Sequence, residues 1–127
     1  MNAREHVVII LDDDLDLGEM LAETLHLLGH PVIALAAPLD AERIVLRGCP
    51  SVMVLDMKLD GRYTGIEMAQ RIREGRGIRC PLIGITASLQ MAGLARESGL
   101  FCTVLEKPFE LTALIAAVTE AIGHDDA

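Results

Sequence analysis

Three aspartates in a row, Asp12, Asp13 and Asp14, close the apolar run IILDDD, and Asp16 follows after one leucine. Another acid, Asp56, closes a second apolar run, SVMVLD. Two unit charges about 4 Å apart repel by roughly 1 kcal/mol in water and by several times that near a protein surface. Acids gathered at the ends of buried strands therefore call for a cation. Mg²⁺, which takes hard oxygen ligands and keeps several waters, suits such a space. An aspartate there can also act as a nucleophile and form an acyl phosphate. Two other groups suit that chemistry. The hydroxyl of Thr86 in LIGITAS is a donor for an oxyanion, and the ammonium of Lys107 in VLEKPF can balance a carboxylate or hold a phosphoryl oxygen.

Whether these residues meet depends on the elements that carry them. Five apolar runs alternate with five segments of helical period. His6–Leu11 is rich in β-branched residues and apolar at successive positions, as in a strand covered on both faces. Pro31–Leu35, Ser51–Asp56, Pro81–Thr86 and Cys102–Glu106 are the other expected strands. Leu17, Met20, Leu21, Leu25 and Leu28 recur at helical steps before a stop at Gly29. A second helix turns Ala41, Ile44 and Val45 inward, with Gly48 after it, and a third carries Ile66, Ala69 and Ile72. The fourth, around 90–98, is interrupted by Gly93, and the last has Leu111, Leu114, Ile115, Val118 and Ile122 on one stripe.

Five βα units imply an α/β fold: a doubly wound, flavodoxin-like parallel sheet with strand order 2-1-3-4-5. In open α/β sheets, ligands gather outside the carboxyl ends of the strands. Strand one ends in Asp12-Asp13-Asp14, strand three in Asp56, strand four in Thr86-Ala87-Ser88 and strand five in Glu106-Lys107-Pro108. Strand two ends in Leu35-Ala36-Ala37, with nothing polar. The four polar ends are neighbours in that order, so one rim is expected to collect them. Asp14 or Asp16 is expected to cap the first helix, where negative charge suits the helix dipole.

The bulk numbers bound the class. A chain of 127 residues, 51% hydrophobic and 24% charged, reads as one soluble domain, residues 1–127, with a core over about 7–122 and short polar termini such as GHDDA. No apolar run approaches the roughly 20 residues that span a bilayer. MNAREH does not open an export signal, so a cytoplasmic location is expected. A net charge of −8 argues against a nucleic-acid surface. Cys49, Cys80 and Cys102 lack CxxC spacing and read as small buried hydrophobes in a reducing compartment. The four histidines lack ligand spacing, and Met53, Met57, Met68, Met91 and Phe109 read as packing residues.

The segments IILDDD, PSVMVLDMKLDG, LIGITAS and VLEKPF, in this order and each at a strand end, resemble the response-regulator receiver domains of two-component signalling over about Val7 to Ile122. The resemblance implies that Asp56 accepts a phosphoryl group from a phosphohistidine. Asp13 would ligate Mg²⁺ directly, Asp12 through water, and the Lys58 carbonyl would add a further ligand, with Mn²⁺ a substitute metal. Thr86 and Lys107 would hold the phosphoryl oxygens, aided by backbone N–H groups near Met57 and Ala87, and the small Ala87 would leave room. Lys58 and Ser88 would flank the site and tune phosphoryl lifetime, and the Lys107–Pro108 bond would be cis. The implied partners are a histidine kinase or histidine phosphotransfer protein, and a second copy through the face of the fourth helix, fifth strand and last helix. Self-phosphorylation and self-dephosphorylation would belong to the switch, in a signalling domain rather than an enzyme. Direct contact with nucleic acid or membrane is not implied.

Some positions depart from the family pattern. Asp60 stands where proline is common, GRYTG is one residue longer with Thr64 for an Asp, and the stretch from Thr86 to Lys107 is slightly short. Val104 stands where receivers carry a Tyr or Phe that moves in the switch. Phosphorylation is therefore expected to shift residues Ala87–Met91 instead. The alternative is a degenerate receiver used for docking or dimerisation. An aspartyl-nucleophile phosphatase would need a second Asp at Lys58, and a flavodoxin would need hydroxyls where strand one ends in acids.

Overall fold

The computed structural model describes residues 7–38, 40, 41, 43, 50–59, 63–76 and 79–126. Apolar runs without a polar face become strands that are covered on both sides. The strands are β1 (Val8–Leu11), β2 (Val32–Leu35), β3 (Val52–Asp56), β4 (Leu82–Thr86) and β5 (Thr103–Glu106). They pair in parallel in the order β2-β1-β3-β4-β5. Every residue of β1, β3 and β4 is buried, whereas the edge strands β2 and β5 are only partly covered. Each strand begins one or two residues later than its apolar run.

Among the described residues, helical segments flank the sheet. α1 spans Leu15–Leu27, α3 Gly65–Arg76, α4 Leu89–Ser98 and α5 Leu111–Asp126. α2 is described in part: Pro38, Asp40, Ala41 and Arg43 are helical, and Ala41 is buried. Ile44, Val45, Gly48, Cys49, Asp60 and His6 lie outside the described residues. On one sheet face Ile9, Leu11, Met53 and Leu55 meet Met68, Ala69 and Ile72 of α3 and Ala95 of α4. On the other, Val8, Ile10, Val54, Ile83 and Ile85 meet Leu21 and Leu25 of α1 and Leu114, Val118 and Ile122 of α5. Fully burying each such large side chain stabilises by roughly 1.5–3 kcal/mol.

Several expectations are corrected. Met20 and Leu28 are half exposed, because α1 presents only Gly18, Leu21 and Leu25 squarely to the sheet. Cys102 is exposed, since it lies in the turn ahead of the edge strand β5, while Cys80 is buried. α5 continues past Ile122 to Asp126, because a helix satisfies its backbone within itself and need not end where its apolar stripe does. Gly93 does not break α4, which is held at both ends. The Ser88 hydroxyl accepts the Met91 N–H (3.1 Å), and Gly99 takes the left-handed conformation (φ 72°) at the C-cap.

α3 starts with a capping box: the Glu67 N–H donates to Thr64 Oγ1 (3.1 Å) and the Thr64 N–H donates to the Glu67 carboxylate (2.9 Å). Its first residue, Gly65, presses on the end of β3. A Cβ there would collide with the Asp56 carbonyl oxygen and Met57 Cε. Gly65→Ala should therefore lower stability by about 2 kcal/mol, the scale of overpacking a tight core, read from the urea midpoint. An unchanged midpoint would contradict this contact.

Candidate functional site

The carboxyl ends of β1, β3, β4 and β5 form one rim. Asp12 follows β1, and its N–H donates to the Leu35 carbonyl (3.1 Å). Its side chain is buried and used on both oxygens. Oδ1 accepts the Asp14 N–H at 2.9 Å, and Oδ2 takes Lys107 Nζ at 2.9 Å. Asp14 turns away, and its carboxylate accepts the Leu17 N–H (3.1 Å) as the N-cap of α1. Asp13 between them is exposed. Asp56, the last residue of β3, is 4% exposed, and Lys107 Nζ lies 3.4 Å from its Oδ2. Carboxylate oxygens of Asp12, Asp13 and Asp56 all lie within 4.8 Å of one another.

One ammonium thus pairs with two of the three clustered acids. Burial pushes the Asp56 carboxyl up to about 7, and the hydrogen bond and charge of Asp12 push the same way. Lys107 and the Lys58 N–H, 3.4 Å from Asp56 Oδ1, oppose the rise without cancelling it. Burial works against the Lys107 ammonium, but its bond to Asp12 and the two acidic charges outweigh burial and hold its pKa above the ordinary lysine range. The surplus acid, two buried carboxylates and one at the surface, fits a hydrated divalent cation with oxygen ligands.

The other predicted residues surround this cluster in different ways. Thr86 is buried at the end of β4, and its Oγ1 accepts the Ser88 N–H (3.0 Å), which leaves its own proton uncommitted to that bond. The Lys107 N–H donates to the Thr86 carbonyl at 2.7 Å, joining β4 to β5 at the rim, and the Lys107–Pro108 bond is cis. Ala87 is exposed. Lys58 is exposed and pairs as an isolated bridge with Thr64. Ser88 stands beside the site, but its hydroxyl serves the α4 cap. Val104 lies against the apolar core rather than on the rim. Beside it Arg96 of α4 donates to the Val104 carbonyl (3.3 Å) and the Glu106 carboxylate (3.1 Å), a tie that no sequence pattern announced. An open groove of about 560 Å³ runs past Lys58, Tyr63, Thr86 and Met91.

The family model for the response regulator receiver domain matches residues 8–119. The chain belongs to the response-regulator receiver family. This receiver is 28% identical over 124 residues to the phosphate regulon transcriptional regulatory protein PhoB of Pseudomonas aeruginosa, a match covering 94% of this chain and 54% of that protein. It is 30% identical over 112 residues to sporulation initiation phosphotransferase F of Bacillus subtilis, covering 87% of this chain and 89% of that one. The receiver domain of the Francisella response regulator 1452 shares the fold, with a TM-score of 0.82 at 21% identity over 94% of this chain and 98% of that one. Receivers take phosphoryl groups from histidine kinases or phosphotransfer proteins and bind Mg²⁺ at an acidic pocket. The pocket of Asp12, Asp13 and Asp56 fits that phosphorylation site in a domain of a signalling protein. No helix among the described residues is long and apolar enough to cross a membrane.

Proposed function

We propose that Asp56 is the phosphoryl acceptor of this receiver, with a histidine kinase or histidine phosphotransfer protein as donor. The single observation that supports this most is a buried carboxylate held between an ammonium and two further acids at one strand-end rim. An Asp56 oxygen attacks the phosphorus of the phosphohistidine as the P–N bond breaks. The imidazole, protonated on its other nitrogen, leaves with that bond's electron pair. Asp12, Asp13, Asp56 and the Lys58 carbonyl are the residues to hold Mg²⁺. Bound there, Mg²⁺ offsets the charge on the phosphoryl oxygens. Lys107 releases Asp56 and pairs with a phosphoryl oxygen, Thr86 donates its hydroxyl proton to another, and the N–H groups near Met57 and Ala87 assist. Self-phosphorylation from small donors and self-dephosphorylation follow from the same groups.

The domain works in the cytoplasm, as a single receiver over the whole chain, without direct contact to nucleic acid. α4 exposes Leu89 and Leu94, which suits a second copy docking through α4, β5 and α5. Incubation with acetyl phosphate and Mg²⁺ should add one phosphoryl group by intact mass, and EDTA should abolish the gain. No gain, with a competent donor kinase as well, would leave a docking module and overturn the acceptor role.

The output is carried by the loop between β4 and α4. When Thr86 turns its hydroxyl to the phosphoryl group, the Ser88 N–H bond to Oγ1 must adjust, and Ser88 is the N-cap of α4. Beryllofluoride, a stand-in for the phosphoryl group, should shift the amide resonances of residues Ala87–Met91. Shifts confined to the surroundings of Asp56 and Lys107 would contradict this route.

A further inference from the structure

Met57 joins more elements than any role above requires. It is fully buried. Its N–H donates to the Ile85 carbonyl (2.9 Å), and its carbonyl accepts the Gly65 N–H (2.9 Å). Its backbone therefore ties β3 to β4 and to the first residue of α3. Its side chain lies in a slot that two glycines leave open. A Cβ on Gly65 would strike Met57 Cε, and a Cβ on Gly84, in the middle of β4, would come within 3.3 Å of the same atom. Phe101, from the turn before β5, closes the slot, with Cδ1 at 3.3 Å from that Gly84 position. One peptide bond separates this junction from Asp56, and on its other side the Lys58 N–H reaches Asp56 Oδ1. Methionine is unbranched and fills irregular space, and here its end occupies the room that Gly65 and Gly84 leave beside Asp56.

We propose that Met57 is a positioning residue for phosphoryl transfer: threaded between Gly65 and Gly84 and covered by Phe101, it fixes the aim of the Asp56 carboxylate relative to Lys107 and Thr86. The inference rests on Asp56 as acceptor. The nucleophile must meet phosphorus in line, and a misplacement of about 1 Å lowers a rate by roughly a hundredfold. A methionine that only fills the core would change stability and leave the rate of the folded protein alone.

The test is a time course of phosphoryl uptake from acetyl phosphate in Mg²⁺, by intact mass, at a temperature where each variant is folded. Met57→Ala should lower the rate at saturating donor by about tenfold or more while the half-saturating concentration changes little. Gly84→Ala should also slow uptake, because its methyl displaces Met57. The double variant should be faster than Met57→Ala, since the new methyl enters the vacated space. Met57→Leu, close in volume, should stay within about threefold of wild type. Uptake by Met57→Ala within about twofold of wild type, with a lowered urea midpoint, would reduce Met57 to packing and overturn the inference. If Met57→Ala does not fold, Gly84→Ala decides: wild-type uptake overturns the inference and slowed uptake supports it. A wild-type chain that takes no phosphoryl group overturns the acceptor role, and this inference with it. Equal uptake by wild type and variants overturns the positioning role alone.

Discussion

Asp56→Asn should melt at a higher temperature than the wild-type chain when both are free of metal above neutral pH. The reason lies in where the carboxylate sits. Asp56 is buried beside Asp12, and its pKa rises from 3.8 to about 7, through burial first and Asp12 second. Between those two values the folded chain holds a proton that the unfolded chain has released. The contribution to stability therefore falls as pH rises through that window, and the penalty is complete above about pH 7. Asparagine has nearly the same shape and no charge, and Lys107 keeps its 2.9 Å bond to Asp12. The expected gain is on the order of 2–4 kcal/mol at most, several degrees in melting temperature. It should shrink as pH falls toward about 4 and vanish below that, where the wild-type acid is protonated in both states. Thermal scans in EDTA across this range check it. A variant less stable at high pH, with a gap that ignores pH, would show that the pocket does not strain the metal-free fold.

The second large effect concerns the metal. Mg²⁺ should raise the melting temperature of the wild-type chain, because only the folded state brings Asp12, Asp13 and Asp56 within 4.8 Å. At a hundredfold excess over its dissociation constant, a ligand of the folded state adds about 2.7 kcal/mol. Asp13→Ala should remove most of that gain. Asp13 is exposed, so the same substitution should change stability in EDTA by no more than about 0.5 kcal/mol. This contrast separates ligation from folding. Scans with Mg²⁺, and with NaCl at equal ionic strength, measure it. An undiminished Mg²⁺ response in Asp13→Ala would remove Asp13 from the site.

The sheet was legible because β1, β3 and β4 are buried on both faces, and such strands read as unbroken apolar runs. Their ends were legible too, since a polar residue closing such a run has few reasons to be there. That logic brought Asp12, Asp13, Asp56, Thr86 and Lys107 to one rim from distant parts of the chain. It did not separate Ser88 the cap from Ser88 the rim residue, because a hydroxyl after a strand suits both. Helical period located α1 but not the width of its buried stripe, so the exposure of Met20 and Leu28 was hidden. The slot around Met57 was hidden as well. A methionine after a strand reads as packing, and only its nearness to Gly65, Gly84 and Phe101, all distant in sequence or across a turn, gives it a further role.

The claim that Asp56 carries the phosphoryl group is tested most directly by locating it. After acetyl phosphate and Mg²⁺, borohydride reduces an aspartyl phosphate to homoserine, and mass spectrometry of the digested chain reads the position. The expected result is homoserine at Asp56 alone, and none in Asp56→Asn. Homoserine at Asp12 or Asp13 instead, or undiminished conversion in Asp56→Asn, would contradict it.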